Sequence, residues 1–395
     1  MSKLTIRDVD LNGKKVLVRV DYNVPLDKYQ NITDGTRIKE SIPTIKYLVE
    51  KNCRIILCSH LGRPKGKVAT EFSLKPAAKK LSELLNQDVK FASDCIGEDV
   101  KKLAGGLKPK EILLLENLRL HSEEEKNDEK FAKQLSELAE FFVQDAFGTV
   151  HRAHASTAGV NKFLPSAAGF LLEKEIKYLG NALQNPARPF IAILGGAKVS
   201  DKIGVIENLS KKVDAILIGG AMAYTFLKSQ GIPVGNSRVE KDKLNLAKDL
   251  MKKTGKIQFL LPIDHIIADK VDAGENVEIT KGIEIKDGWL GVDIGVTTII
   301  KYKSVIKSAK TIILNGPMGV FEIDEFAGGT NAVVEAIADA TSKGAISIIG
   351  GGDSVSAVKK AGVSDKVSHI STGGGASLEF LEGLELPGIA SLKDK

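Results

Sequence analysis

The chain is short of cysteine, aromatic residues and long apolar runs, and each shortage closes off a class of protein. Its three cysteines, Cys53, Cys58 and Cys95, are odd in number, lie in the first quarter and form no CxxC pair. A disulfide framework or a zinc site therefore has little support, which leaves buried, inert thiols. No apolar run reaches the ~18 residues of a membrane span. Met1-Ser2-Lys3-Leu4-Thr5 opens a polar segment with no secretory core, so the expectation is a cytoplasmic protein with no membrane partner. A long basic tail is also missing: the formal charge of +6 is spread among 50 acidic residues, which argues against nucleic acid as a partner. Aromatics are only 5%. Low-complexity tracts and short repeats are absent, and the brief run Glu123-Glu124-Glu125 reads as a solvated surface loop. The sequence contains no GxxxxGK[ST] phosphate loop, GxGxxG fingerprint, GxSxG elbow or HExxH pair, and it lacks the HRD and DFG set of protein kinases. Any nucleotide site is therefore of another kind.

What is present points to two α/β halves. At 395 residues the chain exceeds one ordinary core, and 43% hydrophobic with 27% charged residues is the balance of a soluble globular protein. Short β-branched runs alternate with amphipathic stretches, the pattern of a parallel sheet flanked by helices. Candidate strands in the first half are Lys15 to Val20, Arg54 to Ser59, Glu111 to Leu115 and Phe141 to Val143. In the second they are Phe190 to Leu194, Ala215 to Ile218, Gln258 to Leu261, Thr311 to Leu314 and Ala345 to Ile349. Between the halves, Phe170 to Gly180 has the apolar spacing of a connecting helix. The expected fold is α/β, with two Rossmann-like lobes, each a mostly parallel sheet flanked by helices, joined by that helix and a hinge.

The candidate ligand groups follow strands, where such sheets bind ligands. In the first half these are Asp21 and Asn23, His60 and Arg63, Arg119, and Arg152, with Arg37 opening a helix after Asp34-Gly35. Four arginines and a histidine at one rim suit a small, multiply charged acid, because guanidinium forks match carboxylate and phosphate oxygens. His121, His151, His154 and His265 are compatible with structural roles, and the His151/His154 spacing of three lacks further metal ligands nearby.

In the second half, Gly195-Gly196-Ala197-Lys198-Val199-Ser200-Asp201-Lys202 places two lysines four apart, suited to neighbouring phosphates. Gly219-Gly220-Ala221 fits the close approach of a nucleobase and equally a plain helix-start turn. Asn315-Gly316-Pro317-Met318-Gly319-Val320-Phe321-Glu322 offers Glu322 to ribose hydroxyls. Two glycine clusters, Gly350-Gly351-Gly352-Asp353-Ser354 and Ser371-Thr372-Gly373-Gly374-Gly375, each sit between a β-branched run and a helix-competent stretch. There bare N–H groups and a helix dipole favour phosphate, and Asp353 can hold magnesium.

These motifs, together with Arg19-Val20-Asp21-Tyr22-Asn23-Val24-Pro25, Ser59-His60-Leu61-Gly62-Arg63-Pro64 and Asp145-Ala146-Phe147-Gly148-Thr149-Val150-His151-Arg152-Ala153-His154, run in the order of the phosphoglycerate kinase family. The chain resembles that family over essentially its full length. The resemblance implies an amino-terminal lobe, residues 1–169, for 3-phosphoglycerate or 1,3-bisphosphoglycerate. It further implies a connecting helix at 170–184, a nucleotide lobe at 185–377 for MgADP or MgATP, and a segment 378–395 that returns to the first lobe. By motif, Asp21, Asn23, Arg37, His60, Arg63, Arg119 and Arg152 fall in the acid site. Lys198, Lys202, Gly219, Gly220, Gly291, Asn315, Glu322, Gly351, Gly352, Asp353 and Ser354 fall in the nucleotide site, with Asp353 the Mg2+ ligand and the family usually monomeric. Three positions depart from the family's habit: Leu314 where tryptophan is frequent, Gln144 for asparagine and Val150 for alanine.

The expected reaction is phosphoryl transfer between 1,3-bisphosphoglycerate and MgADP. Arg37 and Lys198 would neutralise the phosphoryl group in flight, joined by N–H groups of Gly352 and of Gly373, Gly374 and Gly375, while Lys202 and Mg2+ hold nucleotide phosphates. The attacking carboxylate is ionised at neutral pH, so no general base is required. The competing readings are a non-catalytic phospho-ligand binding protein and, more weakly, a nicotinamide-dependent dehydrogenase.

Overall fold

The computed structural model describes residues 3–255, 257–273 and 276–395. The chain divides into two compact units, one of Met1–Lys177 with Glu385–Lys395 and one of Tyr178–Leu384. The boundary falls inside a single helix, Phe170–Gln184.

The first unit is built on a six-stranded parallel sheet: β1 (Lys15–Arg19), β2 (Arg54–Cys58), β3 (Val89–Phe91), β4 (Ile112–Leu114), β5 (Phe141–Gln144) and β6 (Ser166–Ala168), in spatial order β3-β4-β2-β1-β5-β6. Central strands covered on both faces must be apolar along their whole length. Val16, Val18, Ile55 and Leu57 accordingly enter one core cluster while Leu17, Ile56 and Cys58 enter another. The chain moves from β1 toward one edge and later from β4 across to β5, so the direction of winding reverses beside β1. Ligands of such sheets bind beyond the carboxyl ends of strands at this reversal. The closing residues of the chain belong here too: the Gly388 N–H donates to the Val150 carbonyl at 2.8 Å. A Cβ on Gly388 would stand 2.9 Å from the Val150 Cα, so the contact requires glycine. All three cysteines are buried free thiols, and burial pushes Cys53 up to about 11 and Cys58 to about 12.

The second unit is also built on six parallel strands, in a different order. Strands β7 (Phe190–Leu194), β8 (Ala215–Ile218), β9 (Gln258–Leu260), β13 (Thr311–Asn315), β14 (Ile346–Gly350) and β15 (His369–Ile370) form a parallel sheet in the order β15-β14-β13-β7-β8-β9. Its winding reverses between β7 and β13, which pair from Thr311↔Phe190 to Asn315↔Leu194. The sequence pattern did not indicate a small antiparallel sheet of β10 (His265–Ala268), β11 (Val277–Ile279) and β12 (Leu290–Ile294), in the order β11-β10-β12. Leu314, in the place of the family's frequent tryptophan, is 2% exposed and packs in the core of this unit. Among the described residues no helix is long and apolar enough to cross a membrane.

Candidate active site

In the first unit, loops after β1, β2, β4 and β5 carry the expected groups. Asp21 is buried and accepts a 2.8 Å ion-paired hydrogen bond from Arg37 Nη1, which also donates to the Asn23 carbonyl at 3.2 Å. Arg37 stands in the first turn of the helix Thr36–Glu50 and keeps 34% of its side-chain surface in solvent. Asn23 Oδ1 accepts from the Gly62 N–H at 2.9 Å, tying the first loop to the second. Arg119 Nη1 donates to the Gly62 carbonyl at 2.8 Å, while its buried Nε, 3.4 Å from Glu125 Oε1, makes no hydrogen bond. Arg63 is exposed, and so is Arg152, whose Nε donates to His151 Nε2 at 3.1 Å. Six of the seven predicted residues thus occupy one set of loops and Arg37 the first turn of a helix: Asp21, Asn23, Arg37, His60 and Arg119 share contacts or charge with one another, Arg152 shares charge with Arg119 while exposed, and Arg63 is exposed.

His60 is 4% exposed. Burial first, then the charges of Arg19, Arg119, Arg37 and His154, hold its pKa well below the usual imidazole range. His154 is held down to about 4 by burial and by Arg119, Arg19 and Arg152. Burial, reinforced by the surrounding guanidinium groups, favours the neutral form of these histidines and leaves the positive charge for an anion on the arginines.

Three groups in this unit escaped the sequence reading. Asn117, fully buried, accepts from the Leu61 and Arg119 N–H groups and donates to the Leu61 carbonyl at 2.7 Å, clamping the β2 and β4 loops together. Arg19, at the end of β1, is 1% exposed. Glu124 corrects the expectation of a solvated acidic loop: Ser122–Glu125 is a helical turn that points Glu124 inward, where it is 0% exposed and bonds Ser156 through both carboxylate oxygens. A run of three acids carries no sign of which member a turn directs inward.

In the second unit, the loops after β7, β8 and β13 interlock through their backbones. The Gly195 N–H donates to the Asn315 carbonyl at 3.0 Å, the Gly220 N–H to the Met318 carbonyl at 2.8 Å, and the Met222 N–H to the Gly196 carbonyl at 3.0 Å. A Cβ on Gly195 would lie 1.9 Å from the Pro317 oxygen, and one on Gly220, whose φ is +66°, would lie 2.5 Å from the Gly196 nitrogen. Side chains are excluded there by contact with backbone that has nowhere to move. The loops enclose a pocket of about 240 Å³ lined by, among others, Gly220, Tyr224, Gly291, Met318, Glu322 and Asp353. Gly291 sits against the Tyr224 ring, with room for no Cβ, and Gly219 lies buried just outside the lining.

Cationic and polar groups border this pocket's strand ends. Lys202 is 8% exposed and donates to Asn315 Oδ1, while Asn315 Nδ2 is buried without a partner. Burial pulls the Lys202 ammonium down to about 8 against the opposing pull of Asp201, Asp353 and Glu382. Lys198 and Glu322 are exposed. Gly351 takes φ +86° ahead of the helix Gly352–Lys360, which places exposed Asp353 in its first turn. Ser354 faces inward and accepts from the Gly316 N–H at 2.5 Å. Gly374, with φ +51°, precedes the helix Gly375–Leu381, and the Gly373 N–H already donates to Ser371 Oγ at 3.1 Å. Gly374 and Gly375 are the members of that cluster nearer the surface.

The residues fit a magnesium ion presented with phosphates. A hard cation that keeps several waters needs one or two carboxylates beside substrate oxygens, and Asp353 lines the pocket with its side chain exposed.

The chain matches the model of one family, described as phosphoglycerate kinase, over residues 6–384. It is 57% identical over 399 residues to the phosphoglycerate kinase of Chlorobium phaeobacteroides, covering all of both chains. It is also 57% identical to the cytosolic phosphoglycerate kinase of Triticum aestivum, covering 99% of this chain and 98% of that one. Among solved structures, phosphoglycerate kinase from Coxiella burnetii superposes with a TM-score of 0.90 at 40% identity, covering 98% of each chain. That from Pyrococcus horikoshii does so at 0.85 and 34%, again covering 98% of each.

Proposed function

The chain belongs to the phosphoglycerate kinase family, and from that premise we propose how its residues divide the reaction. It is a phosphotransferase with a carboxyl group as acceptor, interconverting 1,3-bisphosphoglycerate and ADP with 3-phosphoglycerate and ATP. In the ATP-forming direction the bond from the acyl oxygen to phosphorus breaks, and a bond from an ADP β-phosphate oxygen to the same phosphorus forms. The acyl oxygen leaves as a carboxylate.

The acid substrate binds the first unit through Asp21, Asn23, Arg37, His60, Arg63, Arg119 and Arg152. ADP or ATP binds the second, where Gly219, Gly220, Gly291 and Glu322 shape the place of the nucleoside, and Lys198, Lys202, Asn315, Gly351, Gly352, Asp353 and Ser354 surround that of its phosphates. Asp353 is the magnesium ligand, and the ion, when bound, neutralises phosphate charge. The pocket whose lining glycines Gly220, Gly291 and Gly319 have no room for a Cβ carries the nucleotide assignment, since loops packed backbone to backbone present a bare surface to a flat base and a polyphosphate.

Arg37 and Lys198 neutralise the phosphoryl group in flight, and the N–H groups of Gly352, Gly374 and Gly375 complete the cradle, joined by that of Gly373 once it leaves Ser371 Oγ. A loose, in-line transfer needs positioning and charge more than a nucleophile, which suits this inventory of cations and amides. Because the two substrate sets belong to different units, transfer requires a closure that brings the substrates together and excludes water. The enzyme acts as a cytoplasmic monomer.

A coupled assay of ATP formation from 1,3-bisphosphoglycerate, run with and without magnesium, tests this reading. Metal-dependent turnover is expected; binding of both ligands without transfer would reduce the chain to a phospho-ligand binding protein. Small-angle scattering on adding both substrates should show a smaller radius of gyration, and an unchanged one counts against closure.

A further inference from the structure

The acid site has a buried support that the reaction itself does not call on. Arg19 Nη2 lies 3.1 Å from His60 Nδ1. A guanidinium group offers only donors and stays protonated in proteins, so the contact requires a bare lone pair on Nδ1. In a neutral imidazole the single proton then sits on Nε2. Protonating His60 would set a second cation against Arg19 at that distance, in a site that Arg119 and Arg37 also charge.

Arg19 is aimed in turn. Three of its five N–H groups are directed, one on each nitrogen, to the Val20 carbonyl from Nη1, to Ser156 Oγ from Nε (2.9 Å) and to His60 from Nη2. Ser156 Oγ has a lone pair for Arg19 because its own hydrogen goes to Glu124 Oε1 at 2.5 Å, while the Ser156 N–H donates to Glu124 Oε2 at 2.9 Å. The Ala155 N–H to the Glu124 carbonyl, 3.0 Å, docks the same loop once more. Glu124 is 0% exposed, and its carboxylate supplies the opposite charge that a guanidinium buried to 1% exposure needs nearby. Arg119 and His154 face Glu124 from neighbouring loops, His154 Nδ1 at 3.9 Å.

We propose that Glu124 and Ser156 are positioning residues for the acid site, which through Arg19 hold His60 as its Nε2–H tautomer, so that the imidazole meets an anionic oxygen as a neutral donor of one defined direction. This rests on the reading that His60 lies in the acid-substrate site. A neutral donor adds direction without adding another desolvated charge to a rim already rich in arginine, so the relay sets where an oxygen must sit and leaves attraction to the guanidinium groups.

The test uses the full chain with 15N-labelled histidine and a long-range 15N–1H spectrum at neutral pH, His60 being assigned by its loss in His60→Gln. The free protein should show His60 protonated on Nε2 alone. Ser156→Ala and Glu124→Gln should mix the tautomers and raise the KM for 3-phosphoglycerate about tenfold, the loss of one charge-assisted hydrogen bond. In both, kcat and the KM for ADP should stay close to the parent values, and Ser156→Thr should restore tautomer and KM together. A parent His60 that carries its proton on Nδ1, or on both nitrogens, overturns the proposal without any variant having to fold. So does Ser156→Ala with an unchanged spectrum and KM. His60→Ala with an unchanged KM for 3-phosphoglycerate would instead remove the acid-site reading, whichever tautomer the parent holds.

Discussion

The two units place groups for anions beside the reversal of winding next to their first strand, in sheets of different strand order, and by opposite means. The first uses long side chains: guanidinium groups on three loops and the first turn of a helix, with Arg37 pinned by Asp21 and Arg119 by the Gly62 carbonyl, over a floor of buried polar contacts. The second uses the absence of side chains: glycines at the ends of β7 and β13 packed so closely that a Cβ on Gly195 or Gly316 would overlap the other loop's backbone. The difference teaches where each site is vulnerable. Removing charge should cripple the first while its fold remains, whereas adding a single methyl group should cripple the second. Arg37 and Lys198 are where the contrast should vanish, since both are assigned to the transferring group itself.

The largest effect is expected there. Arg37→Ala and Lys198→Ala should each lower kcat by about 10² to 10³, the scale of losing one transition-state charge contact; thermal unfolding should be almost unchanged in Lys198→Ala, whose side chain is exposed, and lower in Arg37→Ala, which leaves the buried Asp21 carboxylate without its ion pair. Near-parent turnover in both variants would end the assignment. Gly220→Ala comes next and sharpens the contrast. A non-glycine residue at φ +66° costs about 1–2 kcal/mol, and its Cβ must also push aside the Gly196 backbone at 2.5 Å. Calorimetric titration should show ADP binding weakened at least about tenfold, with 3-phosphoglycerate binding unchanged. Equal losses for both ligands would mean that the units do not bind independently.

Much of this was legible in the sequence because parallel strands buried on both faces must be apolar throughout, as Ile55-Ile56-Leu57 and Ile312-Ile313-Leu314 are. What escaped was short or lacked that signature. β3, β6 and β15 have two or three residues, β6 is Ser166-Ala167-Ala168 with no branched side chain, and β11 leaves Val277 and Ile279 exposed in a charged stretch. The cationic rim could be read because charge placed after strands has few structural uses. Its support could not: an arginine inside a strand, one glutamate of three and a lone serine say nothing of burial until the fold sets Arg19, Glu124 and Ser156 in line. The family departures were absorbed locally; Gln144 Oε1 accepts from the Ala146 N–H at 3.2 Å and Nε2 donates to the Thr157 carbonyl at 3.3 Å.

The smallest expected effect separates the units by pH alone. Burial pulls Lys202 down to about 8, whereas the guanidinium groups of the acid rim stay charged throughout the accessible range. Nucleotide phosphates favour the ammonium form, so ADP binding should take up a proton above neutrality, and affinity should fall as pH rises through about 8. With that midpoint the charged fraction drops about tenfold between roughly pH 7 and pH 9, which bounds the rise in the apparent Kd for ADP. The Kd for 3-phosphoglycerate should stay level over the same interval. Lys202→Arg keeps its charge and should flatten the ADP profile, even if the larger group binds less tightly overall. A parent ADP affinity independent of pH from 7 to 9 would mean that Lys202 does not lose its charge there or carries no part of the binding, and Lys202→Ala separates the two; equal falls for both ligands would trace the titration to a group outside the nucleotide pocket.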